Sequence, residues 1–89
     1  MRKMIIDNDK LKEIIIEALR LENGSAQIIP ICKYVWDNYE SDLKKSGDRL
    51  YDWQYKIRWA AHSLRKDGIM KSKHESLRGV WELTDEYFY

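Results

Sequence analysis

Apolar positions along this chain fall into three helical stripes followed by two short alternating runs. Leu11, Ile14, Ile15, Ala18 and Leu19 recur at i, i+3, i+4, i+7 and i+8, which is one face of a helix. Asn8 or Asp9 is expected to cap it, because a short side-chain acceptor satisfies the free N–H groups of an opening turn. Asn23-Gly24 should end it, where a left-handed residue costs least. Ile5, Ile6 and Ile16 lie off the stripe and either pack locally or form a partner surface. Ala26-Gln27-Ile28 predicts a short strand, and Pro30 suits the first turn of a second helix, where its missing N–H is not needed. Ile31, Tyr34, Val35 and Asn38 or Tyr39 supply the buried face of that helix, which should run to about Ser41.

A polar, basic connection is expected over residues 41–51, turning at Ser46-Gly47-Asp48 and longer than the 3–4 residues of a minimal helix-turn-helix. Asp52 is the expected N-cap of a third helix that ends at Gly68. Stepping at 100° per residue, Trp53, Ile57, Ala60, Ala61 and Leu64 share its core face. Tyr55, Trp59, Ser63 and Lys66 centre on the opposite face, flanked by Lys56 and His62, while Gln54, Arg58 and Arg65 follow one border. Trp59 is expected to be covered by the preceding loop or the following hairpin, because a free monomer seldom exposes a tryptophan. Residues 69–73 and 79–84 read as that hairpin, with Trp81 and Leu83 facing the core alongside Ile69 and a charged tip over residues 73–78. Residues 85–89 start a further helix or a linker.

Helix, strand, helix, helix, hairpin is the order of a winged helix-turn-helix: an α+β, mainly helical fold with three helices and a C-terminal two- or three-stranded β-wing. The chain's 89 residues suffice for one such domain, residues 1–89, and leave no room for a second core with a deep catalytic cleft.

Charge sharpens this expectation. The net charge is only +1, yet residues 44–78 carry ten Lys/Arg against four Asp/Glu, whereas residues 1–43 carry six against eight and residues 79–89 none against three. A basic segment that coincides with one helix and one hairpin suits a DNA backbone. Lys44, Lys45, Arg49, Lys71, Lys73 and Arg78 are the candidate phosphate contacts, which set affinity and salt dependence but not sequence. His74, at the hairpin tip, is a further phosphate candidate. Gln54, Tyr55, Lys56 and Arg58 fall on the expected first turns of the third helix, where Gln pairs with adenine and Lys or Arg with guanine. Tyr51 and Tyr55 either pack against a thymine or methylated-base methyl group or staple the preceding loop.

Leu43-Lys-Lys-Ser-Gly47, Ile57-Arg-Trp-Ala60, Leu64-Arg-Lys-Asp-Gly-Ile69 and Arg78-Gly-Val-Trp-Glu-Leu-Thr84 together resemble the winged-helix domain of Mrr-type restriction endonucleases over residues 43–86. The resemblance implies a target-recognition module of a restriction-modification system, with double-stranded DNA as partner and a nuclease domain elsewhere. It also implies a preference for modified DNA, although no residue pattern marks a base-flipping pocket.

No catalytic residues are assigned. The acidic clusters Glu40-Ser-Asp42 and Asp85-Glu86 lack the strand-borne Glu-x-Lys of a Mg²⁺ nuclease. His62 and His74 lack partners at metal-ligand spacing, so no metal or cofactor is expected. Cys32, the single cysteine, reads as a small buried hydrophobe of an intracellular, cytoplasmic protein. No apolar run approaches the roughly 18 residues that span a bilayer. The competing function class is a winged helix for protein interaction or dimerisation with a second copy, or a small transcriptional regulator. It gains weight if Trp36, Trp59 and Tyr55 share an exposed patch.

Overall fold

The computed structural model describes residues 6–88, with the side chain of Phe88 left aside; Ile5 and Tyr89 lie outside the described residues. Helix α1 (Asn8–Leu21) opens on Asp7, not on Asn8 or Asp9: the Asp7 carboxylate accepts the Lys10 N–H at 2.8 Å. Ile6, one residue before that cap, is buried, as is Leu11 four residues after it, the disposition of a hydrophobic staple. Leu11, Ile14, Ile15, Ala18 and Leu19 are all buried, so the periodicity of α1 is the periodicity of its contacts. The helix stops as Asn23 (φ 59°) and Gly24 (φ 95°) turn left-handed, and the Gly24 N–H returns to the Leu19 carbonyl.

Strand β1 (Ser25–Gln27) leads directly into α2 (Ile28–Lys45), which keeps Pro30 within its first turn. Helix α2 therefore runs past Ser41. Leu43, fully buried, lies at i+4 from Tyr39 and i+8 from Val35 and draws the next turn into the core. Only Ser46, Gly47 and Asp48 separate it from α3 (Arg49–Lys66), so the long flexible connection expected over residues 41–51 is a three-residue turn. The Ser46 hydroxyl donates to the Asp42 carbonyl and accepts the Ile6 N–H, tying that turn to the start of α1. Asp48 rather than Asp52 holds the N-cap position of α3, without a side-chain capping bond, and Asp52 sits in the first turn. Trp53, Ile57, Ala60, Ala61 and Leu64 form the inner face as the spacing predicts. Each fully buried Ile or Leu there contributes about 1.5–3 kcal/mol of transfer free energy.

After Gly68 (φ 79°) the chain extends and meets β2 (Val80–Glu82). Strand β2 pairs antiparallel with β1, Ala26 opposite Trp81, and Met70 forms an isolated bridge with Leu83. The Glu82 carbonyl accepts from Lys71 while the Leu83 N–H donates to Gly24; one peptide unit points both ways, so β2 lies between β1 and the Met70 segment. Trp81 and Leu83 are buried as expected, but Met70, not Ile69, joins them, because Met70 is the residue directly across from Leu83 and Ile69 is only half-buried. A short α4 (Asp85–Phe88) closes against α1, where the Arg20 Nε donates to the Tyr87 carbonyl. The architecture is mainly helical α+β, with α1 packed chiefly on α3 and a small antiparallel sheet beside them. Among the described residues no helix is long and apolar enough to cross a membrane.

Candidate nucleic-acid interface

Helix α3 presents two outward strips. The first follows the border occupied by Gln54, Arg58 and Arg65. Gln54 lines a shallow apolar groove of about 610 Å³ with Ile29, Cys32, Lys33 and Trp36 of α2. Arg58, exposed, donates to the Gln54 carbonyl one turn back, which holds its guanidinium along the helix. Its charge opposes the effect of burial on the Cys32 thiol, whose pKa is pushed up because the half-buried site disfavours a thiolate. Cys32 is thus less buried than its apolar neighbours in the sequence suggest. Arg65 lies at the far end of the border, its Nε donating to the Lys71 carbonyl at 3.3 Å, and burial lowers its pKa from the ordinary value. A second groove there is lined by Arg65 together with Lys73, His74 and Arg78. The strip therefore joins cations from α2, α3 and the 72–79 loop.

That loop is ordered by its own side chains. The Ser72 N–H donates to Glu75, and the Ser76 hydroxyl donates to the Ser72 and Val80 carbonyls. The hydrogen bonds from Ser72 stabilise the Glu75 carboxylate and lower its pKa. The Lys71 ammonium adds to that lowering.

The structure separates the expected phosphate contacts into two groups. Lys73, His74 and Arg78 share one groove and make no ion pair among the described residues. Lys71 is instead held by Glu82 at 2.9 Å, and that hydrogen bond, before all else, raises its pKa. Lys44 pairs with Glu40 at 2.7 Å on α2, and Lys45 shares its exposed last turn. Arg49 faces Asp52 at 3.5 Å, and neither paired atom finds a hydrogen-bond partner among the described residues. Lys44, Lys45 and Arg49 are helical residues flanking a tight turn rather than members of a mobile basic loop. Gln54, Tyr55, Lys56 and Arg58 fall on the second and third turns of α3, because the helix starts earlier than Asp52. Lys33 and Arg65 complete the strip. The signal for Arg65 was its border position beside Arg58; Lys33 is placed only by the crossing of α2 over α3.

The second strip is aromatic. Tyr51, Tyr55 and Trp59 are 85%, 58% and 54% exposed, so Trp59 is not covered as expected; neither the short turn nor the 72–79 loop reaches it. Trp59 stands edge-to-face with Tyr55 at 6.3 Å and with His62 at 6.0 Å, and the Lys56 ammonium lies 6.0 Å from the Tyr55 ring. Trp36 is elsewhere, stacked on Trp53 at 6.4 Å in the groove beside α2, so the three-residue patch with Trp59 and Tyr55 does not form. Among the described residues no three His, Cys, Asp or Glu side chains group where a metal ion would be held. Compared with protein-family models, with curated proteins and with solved structures, the chain matches none.

Proposed function

We propose that this chain is a winged helix-turn-helix that binds double-stranded DNA, with α3 facing the duplex and the 72–79 loop as its wing. One observation carries the reading. Lys33, Arg58, Arg65, Lys73 and Arg78 come from three separate elements, follow one border of α3, and make no ion pair among the described residues. Cations left without carboxylate partners on neighbouring elements suit the phosphates of both strands flanking a groove. The element order and the three-residue turn between α2 and α3 add support. The resemblance of residues 43–86 to the winged-helix domain of Mrr-type endonucleases favours a target-recognition role within a restriction system, working beside a nuclease domain or a second copy, since one module reads few base pairs.

Fluorescence anisotropy of a labelled duplex, titrated at several salt concentrations, tests the reading. If each of those five cations neutralises a phosphate, the log–log salt slope is about −4.5. A salt-independent affinity, or no binding at low salt, refutes it and favours a protein-interaction module instead.

A further inference from the structure

The aromatic strip of α3 has no role in clamping phosphates, and a perfect duplex gives it little to do. Stacked base pairs bury their faces and offer the major groove only their edges. Exposed aromatic faces beside cations are the means by which proteins hold unpaired bases. We propose that Trp59 and Tyr55, with the groove beside them, form a stacking site for an unpaired base, so that the preferred ligand is DNA with a locally opened strand. This rests on the reading of α3 as the nucleic-acid-facing helix and names the form of DNA it takes.

Three observations support it. Trp59 is half exposed and stands edge-to-face with two neighbours on its own helix, which leaves part of its ring open to a base. Ring centroids follow one another at 6.3 and 6.0 Å, nearly twice the roughly 3.4 Å step of a duplex strand, so the strip does not keep step with a continuous base stack. Finally, Tyr55, Lys56 and Trp59 form one wall of a groove of about 550 Å³, opposite Asn8, Asp9 and Lys12 from the start of α1. The site thus sets an aromatic surface for a base face, an amide and a carboxylate for its edge, and two ammonium groups for the adjoining phosphates. Lys12 lies 3.8 Å from Asp9, a loose pair at the surface that a phosphate can displace.

The test uses one sequence in three forms: perfect duplex, the same duplex with a short central bubble, and the single strand, each carrying 2-aminopurine at the central position. The bubble should bind about tenfold more tightly than the perfect duplex, and its 2-aminopurine emission should be quenched on binding. Trp59→Ala should abolish the quenching and the tenfold preference, Trp59→Phe should restore part of both, and the affinity for the perfect duplex should hardly change. Circular dichroism confirms folding, since Trp59 lies outside the core. Equal affinity for bubble and duplex, or equal losses on both in Trp59→Ala, overturns the stacking site while leaving duplex binding intact. Binding of no probe overturns both readings. A dimer that Trp59→Ala dissolves, without loss of bubble preference, overturns the assignment of Trp59 in favour of self-association.

Discussion

Trp53 and Trp59 lie less than two turns apart on the same helix and meet opposite environments. Trp53 is 4% exposed and stacks on Trp36, sealing the junction of α2 and α3. Trp59 is 54% exposed and touches only its own helix among the aromatic neighbours, Tyr55 before it and His62 after it. The inner ring is held by what folds the chain; about half of the outer ring stays in water among the described residues. An aromatic side chain dispensable to the core is free to serve a ligand.

The sharpest way to break this comparison is to remove each ring. Trp53→Ala should lower unfolding free energy by about 3–5 kcal/mol, the range for deleting a buried aromatic side chain, whereas Trp59→Ala should change it by about 0.5 kcal/mol or less. Urea denaturation of both variants measures the contrast, and similar losses would mean that the outer face also supports the fold. Next in size, replacing Arg58 and Arg78 together by Ala should flatten the salt slope of duplex binding by about 2 and weaken binding alike on every sequence. An unchanged slope would move the duplex off that border of α3.

Smaller effects probe contacts outside the cation border of α3. Asp7→Ala removes the acceptor for the Lys10 N–H and should cost about 1 kcal/mol in the same denaturation, with no change in the salt slope. The smallest effect concerns Tyr39, whose hydroxyl donates to Glu17 at 2.6 Å. Burial first, and then that carboxylate, raise the phenol pKa above its ordinary value of 10, and Tyr34 beside it is pushed up to about 12. The folded state therefore favours the neutral phenols. Their contribution is fully present below pH 10 and is lost as pH climbs through the raised values. Stability against pH should fall above pH 10, and Tyr39→Phe should soften that fall; an unchanged curve would remove Tyr39 from the cause.

The core stripes of α1 and α3 were legible because burial in a helix repeats with the helix's own period, whereas in α2 Ile31 and Val35 are buried, Tyr34 and Tyr39 are only half-buried and Asn38 is exposed. The boundary between α2 and α3 was not legible, because Lys44-Lys45-Ser46 is polar and reads as loop. The overlooked signal was Leu43, in step with Val35 and Tyr39. Met70 in place of Ile69 is a one-residue shift of register, and register depends on the partner strand. Of the candidate site, Lys73, His74 and Arg78 line one groove because they share one loop. Lys71 pairs instead with Glu82, a contact that depends on the strand opposite.

Local order thus follows from the residues in succession: which stretches become helices, which faces of them are apolar, and where glycine lets the chain turn. Side-chain spacing along one helix also places Tyr55, Trp59 and His62 in one strip. What surrounds that strip is decided between elements distant in the chain. The start of α1 arrives beside Trp59 because its staple and the Ser46 hydroxyl anchor it at the α2–α3 turn, and the 72–79 loop falls on the other border of α3 because β2 pairs with β1. Exposure is a property of the assembled surface, and no periodicity within α3 records which neighbours come to cover it.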